Sequence, residues 1–137
     1  MSFAPEGGAV PGDRIVGILE PGKGITIYPI QSLSLKRYND EPDRWLDVRW
    51  DLEDGDLKRF PARIKVFAIN EPGSLAGIAE VIASNEGNIQ NLTMERPAID
   101  FMEMTFDVEV WDLNHLTRII RQLANKPTVS KVERVTG

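Results

Sequence analysis

Residues 99–111 constrain the fold of this chain more than any other stretch. Met102, Met104, Phe106, Val108 and Val110 alternate with Glu103, Thr105, Asp107 and Glu109. A side-chain period of two belongs to a β-strand, and a clean apolar/polar alternation to a strand covered on one face only. Something must therefore cover the apolar face. Ser74–Asn85 places Leu75, Ile78, Ala79 and Ile82 on one helical face, with Gly87 as a stop. Behind Asp112, a good helix cap, Leu116, Ile119, Ile120 and Leu123 recur at i, i+3, i+4 and i+7, and Pro127 ends that helix. Arg63–Ile69, nearly all apolar, reads as a central strand, and Asn88–Arg96 and Thr128–Val135 as two more. The order βαββαβ with right-handed crossovers predicts a four-stranded antiparallel sheet ordered 4-1-3-2, with both helices on one face.

The first half is β-rich. Pro11-Gly12-Asp13 turns the chain into a strand over Arg14–Glu20, Pro21–Gly24 makes a tight turn, and Ile25–Ile30 is a second strand. Ser32–Tyr38 suits about two helical turns with Leu33 and Leu35 partly buried. Trp45–Trp50 alternates, with Leu46, Val48 and Trp50 on one face and Asp47 and Arg49 on the other. This predicts a small antiparallel lobe with a short helix over residues 1–52. The acidic run with Gly55 cannot bury itself and reads as a connection over 53–62, leaving 63–137 as the second module. A length of 137 residues suits two such modules. The fold class is α+β.

Composition excludes several functions. The chain has no cysteine, so thiolate metal sites and disulfides have no residues to use, and its one histidine, His115, disfavours a His-based metal site or catalytic triad. A net charge of −5 disfavours non-specific nucleic-acid binding. No apolar run approaches the roughly 18–20 residues of a membrane span, and the first residues lack the pattern of a signal peptide. The expectation is a cytoplasmic, non-enzymatic module with no catalytic residues, cofactor, metal or membrane partner. His115 is expected at the solvent face near a helix start, and Met102 and Met104 in the core. Glu103, Asp107 and Glu109 are expected on a solvated face, and Trp45 and Trp50 in packing rather than on RNA.

One segment points to a ligand. Phe67–Leu75 runs from an apolar strand through Pro72-Gly73 straight into a helix, and Glu86-Gly87-Asn88-Ile89 returns the chain to a strand. Gly73 permits positive φ or close backbone approach, and the helix start offers unpaired N–H groups with partial positive charge. Such a corner can hold a small zwitterion: helix N–H groups for its carboxylate, and the Asn70 and Asn88 amides for both charges. The alternative is that Pro72-Gly73 is only the turn the fold requires.

The βαββαβ order with this loop resembles the ACT domain, a small module that often senses amino acids. The first half extends the resemblance. Val10–Gly17, Gly24–Tyr28 and Ser32–Leu35 resemble the segment just before ACT in long Rel/Spo alarmone synthetase–hydrolases, and the match continues through Trp45–Leu52 over the whole chain. The resemblance implies the regulatory end of such an enzyme without its catalytic domains, acting on guanosine tetra- and pentaphosphate synthesis and hydrolysis in the stringent response. Many relatives carry two Cys, a His and a further Cys in the pre-ACT segment. Glu6, Gly7, Tyr28 and Ser32 stand at those positions, so no zinc site is expected.

ACT relatives commonly place one Asn in the loop and another at the start of the second strand, as Asn70 and Asn88 stand here. Some sensors of polar amino acids have a His where this chain has Ala68, so an apolar ligand is favoured. The implied site is Ala68, Asn70, Glu71, Gly73, Ser74, Leu75, Ala76, Asn88, Ile89 and Gln90, and the implied effector is valine, isoleucine or leucine. ACT pairing predicts a homodimer that brings Asn88 of one copy towards Asn70 of the other. The alternative is a ribosome- or tRNA-docking module using the ACT fold as a scaffold.

Overall fold

The computed structural model describes residues 1–51 and 58–137. The centre of the expected connection, 52–57, lies outside the described residues. Its last part does not: strand β5 already begins at Phe60 and runs to Ile69. After it come α1 (Ser74–Ser84), β6 (Asn88–Ala98), β7 (Phe101–Val110), α2 (Leu113–Ala124) and β8 (Val129–Val135). The sheet order is β6-β7-β5-β8, all neighbours antiparallel, which is the expected 4-1-3-2 arrangement. β5 and β7 pair over ten residues from Phe60↔Val110 to Ile69↔Phe101 and form the centre.

One face of this sheet is dry. Ile64, Val66, Ala68, Met104, Phe106 and Val108 are wholly buried against Ile78 and Ile82 of α1 and Leu116, Ile119 and Leu123 of α2. Asp112 caps α2, its carboxylate accepting the His115 N–H at 2.8 Å, as the sequence required. The opposite face carries ion pairs instead, Arg63 with Asp107 at 2.7 Å and Lys65 with Glu103 at 3.1 Å. β5 is therefore central without being apolar on both sides.

Four strands precede it: β1 (Ser2–Phe3), β2 (Ile15–Glu20), β3 (Gly24–Pro29) and β4 (Trp45–Leu46). Their order is β1-β3-β2-β4. The lobe is mixed rather than purely antiparallel, because β1 joins β3 in parallel through Ser2↔Thr26 and Phe3↔Ile27. The helix expected at Ser32–Tyr38 is a 3₁₀-helix over Leu33–Tyr38, with the Ser32 side chain accepting the Ser34 N–H. Leu35 is buried, but Leu33 is 62% exposed, because threefold winding leaves residues two apart on different faces.

Two further expectations are corrected. The strand expected over Trp45–Trp50 stops after two residues, since Trp50 is drawn away to donate its indole N–H to the Asp13 carbonyl at 2.9 Å. There Trp50 stacks on Phe3 with ring centres 5.7 Å apart and meets Phe60 edge-on at 5.6 Å. His115 is 3% exposed rather than solvent-facing. Its Nδ1 accepts the Trp111 N–H at 3.0 Å, which places the ring proton on Nε2, 2.5 Å from the Asn85 carbonyl. Helix α2 thus starts against the end of α1, and the ring ties the two together.

The two sheets share a junction at the Phe60 end of β5. Val10, from the first lobe, is wholly buried in the core of the second. Asp13 accepts two hydrogen bonds from Arg134, each 2.7 Å, and one from the Val10 N–H at 2.8 Å. The Leu113 N–H, at the start of α2, donates to the Pro11 carbonyl at 2.7 Å.

Candidate functional site at the Asn70 end of the sheet

The loop after β5 lies at the end of the sheet opposite that junction. Asn70 closes the β5 strand against the hairpin joining β6 to β7: its N–H donates to Asp100 O at 2.7 Å, and its side-chain amide donates to Ile99 O at 2.9 Å. The backbone N–H and one side-chain N–H face the hairpin, and Oδ1 is the group left to accept. Gly73 takes φ 88°, where a β-carbon would be strained, and starts α1 with no side-chain cap. The Ser74 hydroxyl is turned inward onto Ile69 O at 2.7 Å, and its N–H donates to Glu71 O at 3.2 Å. Leu75 and Ala76 sit in the first turn, too early for an acceptor inside the helix. No acidic side chain occupies that turn.

In front of this helix start is an open groove of about 610 Å³, lined by Asn70, Glu71, Pro72, Gly73, Leu75, Ala76, Met94, Arg96 and Met102. Five of the ten residues chosen from the sequence line it: Asn70, Glu71, Gly73, Leu75 and Ala76. Ala68 lies behind it, wholly buried on the core face and paired with Met102. Ser74 is buried and holds the turn. Asn88, Ile89 and Gln90 are elsewhere. Asn88 pairs with Glu109, whereas the Asn70 loop adjoins Phe101 at the other end of β7, roughly 25 Å away at strand rise.

The reason is α1. Eleven helical residues span about 16 Å, so the loops before and after the helix fall at opposite ends of the sheet. Within one chain the proposed corner does not assemble. The side chain of Asn88 donates instead to Glu109 at 2.7 Å.

Three lining residues escaped the sequence reading. The sequence pattern puts Met94 and Met102 on strands, Met102 in the core, and carries no signal for which end of the sheet faces a groove; Met94 is 40% exposed there and Met102 is buried. Arg96 falls in a bulge, where the β6–β7 register shifts between Glu95 and Ala98, and it makes no ion pair among the described residues. Pro97 beside it is a signal for such an irregularity on an edge strand.

The ACT domain profile matches residues 56–134. The chain belongs to the ACT domain family. Ahead of this ACT domain, residues 1–51 match the RelA/SpoT RIS domain. The whole chain is 65% identical to the GTP pyrophosphokinase rsh of Brucella abortus, over 18% of that protein's length. It is 31% identical over 134 residues to the bifunctional (p)ppGpp synthase/hydrolase SpoT of Escherichia coli, covering 19% of it. The chain thus spans about a fifth of the curated relatives it matches, and RIS followed by ACT identifies the regulatory region of a Rel/Spo protein. Among solved structures, the ACT domain from the GTP pyrophosphokinase of Chlorobium tepidum aligns with a TM-score of 0.51 at 22% identity, covering 57% of this chain and all of that one. That likeness supports the ACT fold.

The metal implied by the relatives' pre-ACT segment does not fit these residues. No group of three or more His, Cys, Asp or Glu that could hold a metal ion occurs among the described residues. A β-carbon on Gly7 would lie 2.0 Å from Val135 O, so no ligating side chain fits there in this backbone. Tyr28 is committed to a 2.5 Å bond to Glu20, and Ser32 caps the 3₁₀-helix. No described helix is long and apolar enough to cross a membrane.

Proposed function

We propose that this RIS–ACT region senses a branched-chain amino acid, valine, isoleucine or leucine, through a site completed by two copies of the chain. The observation that carries the reading is the groove at Asn70. It joins an uncapped helix start and Arg96, which makes no ion pair among the described residues, to an apolar lining of Leu75, Met94 and Met102. The ligand carboxylate would meet the N–H groups of the first helical turn and Arg96. The ammonium would meet Asn70 Oδ1, and the aliphatic group would lie on Leu75 and the two methionines.

The geometry of β6 supports a role for Asn88 from a second copy. β6 is an edge strand, and its regular ladder runs from Asn91 to Glu95, centred on Thr93. A twofold axis through Thr93 sets Asn88 of one copy opposite Ala98 of the other, next to the Ile99–Asn70 contact. The separation within a chain becomes proximity across the pair. Binding that favours the paired state would bias (p)ppGpp synthesis or hydrolysis in the parts of the protein outside this chain.

Titration calorimetry with valine, isoleucine, leucine, serine and aspartate, alongside sedimentation, tests this. The aliphatic ligands should bind and promote dimers, with only modest discrimination between valine and isoleucine, because one methylene contributes about 0.8 kcal/mol. Asn70→Ala or Asn88→Ala should each weaken binding by about tenfold or more, the loss of one charge-assisted hydrogen bond. A folded chain that takes up none of the three aliphatic amino acids at millimolar levels refutes the reading. Salt-sensitive binding to tRNA or ribosomes without any ligand response would support the docking alternative instead.

A further inference from the structure

A cavity as roomy as the ACT groove lies in the RIS lobe. It measures about 620 Å³ and opens between the N-terminal strand and the 3₁₀-helix. Its floor holds three polar side chains that are more than nine-tenths buried: Glu20 at 8%, Tyr28 at 4% and Ser32 at 6% exposure. Its rim carries Lys23 and Arg37.

The charges in it are arranged unusually. The Tyr28 hydroxyl donates to Glu20 at 2.5 Å and accepts from Arg37 Nη2 at 3.3 Å. The carboxylate and the guanidinium therefore stand on either side of one phenol oxygen and form no ion pair. Burial, then the bond to Glu20, pushes the phenol pKa up to about 12, so it remains a donor at neutral pH. Lys23 makes no ion pair among the described residues either. Glu6 also lines the cavity but feels Arg63 on its other side. Buried charges are normally paired within the protein. Here a buried carboxylate and two rim cations face one open space.

We propose that this cavity is a second, independent ligand site, taking a free α-amino acid with a polar side chain. The ammonium would sit on the second oxygen of Glu20, the carboxylate on Arg37 and Lys23, and the polar side chain against the Ser32 hydroxyl. A bare anion is disfavoured by Glu20 and a bare cation by Arg37 and Lys23, so the lining selects a dipolar molecule. An aliphatic amino acid would give the Ser32 hydroxyl proton no acceptor, which gives this site a preference opposite to that of the ACT groove. The site stands whether or not the groove binds anything.

The test is a chemical-shift and calorimetric titration of the whole chain with serine, threonine, asparagine and glutamine, with valine and inorganic phosphate as comparators. Polar amino acids should shift resonances of Glu20, Tyr28 and Ser32. Arg37→Ala, an exposed position, should weaken them by about tenfold, and Tyr28→Phe should weaken them with the fold intact by melting curve. Asn70→Ala should leave them unchanged. The proposal is overturned by no response up to about 10 mM, weaker than any useful affinity. Equal binding of phosphate, or a response abolished by Asn70→Ala rather than Arg37→Ala, overturns it equally.

Discussion

Arg134→Leu should be among the most damaging single substitutions in the chain, although Arg134 is on an outer strand of the sheet. Its partner Asp13 has a side chain only 2% exposed and accepts three hydrogen bonds, two of them from Arg134. Removing the guanidinium leaves a buried carboxylate holding one backbone N–H. Breaking such a pair typically costs about 3–5 kcal/mol, which exceeds what the pair adds over an apolar replacement, because the stranded charge dominates. The buried, unpartnered Nε of Arg134 trims this cost, since its removal relieves one unsatisfied donor. For a chain of this size, about 3 kcal/mol corresponds to a fall in Tm of roughly 10 °C.

The diagnostic step is the second substitution. Asp13→Asn in the Arg134→Leu background removes the charge while keeping an acceptor for Val10, so it should restore on the order of 1–2 kcal/mol. Urea unfolding followed by tryptophan fluorescence is the assay, because Trp50 binds the Asp13 carbonyl and reports on the same junction. Should Arg134→Leu cost less than about 1 kcal/mol, or Asp13→Asn deepen the loss, the stranded-charge argument is wrong.

On the open face of the sheet, two hydrogen bonds from Arg63 hold the Asp107 carboxyl below the usual carboxylate range, with burial opposing them. Its contribution is therefore present above the ordinary pKa near 4 and lost as pH falls through the depressed value; Arg63→Met should flatten that acid limb in pH-dependent melting. Tyr28 behaves oppositely. Its pKa is raised to about 12 by burial and by Glu20, so its contribution is complete below about pH 10 and lost between about 10 and 12. The two-unit shift corresponds to at most about 2–3 kcal/mol, and Tyr28→Phe should remove that alkaline limb. His115→Ala strands the Trp111 N–H and the Asn85 carbonyl together and should cost about 1–3 kcal/mol in urea unfolding; a loss under about 0.5 would mean that water replaces the ring.

The legible and illegible parts of this chain differ in the range of the interaction that decides them. The alternation of β7 and the i, i+3, i+4, i+7 pattern of α2 are each fixed by which side meets the core, so a local window contains the answer. The crossover rule then orders the sheet. Trp50 reads as the next apolar position of a strand, yet it leaves β4 because Phe3, 47 residues back, and Phe60, beyond the connection, each offer it a ring. His115 occupies a helix start, ordinarily an exposed position; only the packing of α2 on the last turn of α1 buries it. The candidate site divides in the same way. The turn through Gly73 and the accepting oxygen of Asn70 are local and were readable. Asn88 was placed beside them because the two loops flank one helix, but the length of that helix is what separates them. If Asn88 serves a ligand at Asn70, it does so from another copy, and binding must then depend on the concentration of the chain itself. That dependence separates a two-copy site from a groove complete in one chain, in which affinity is fixed and Asn88→Ala is silent.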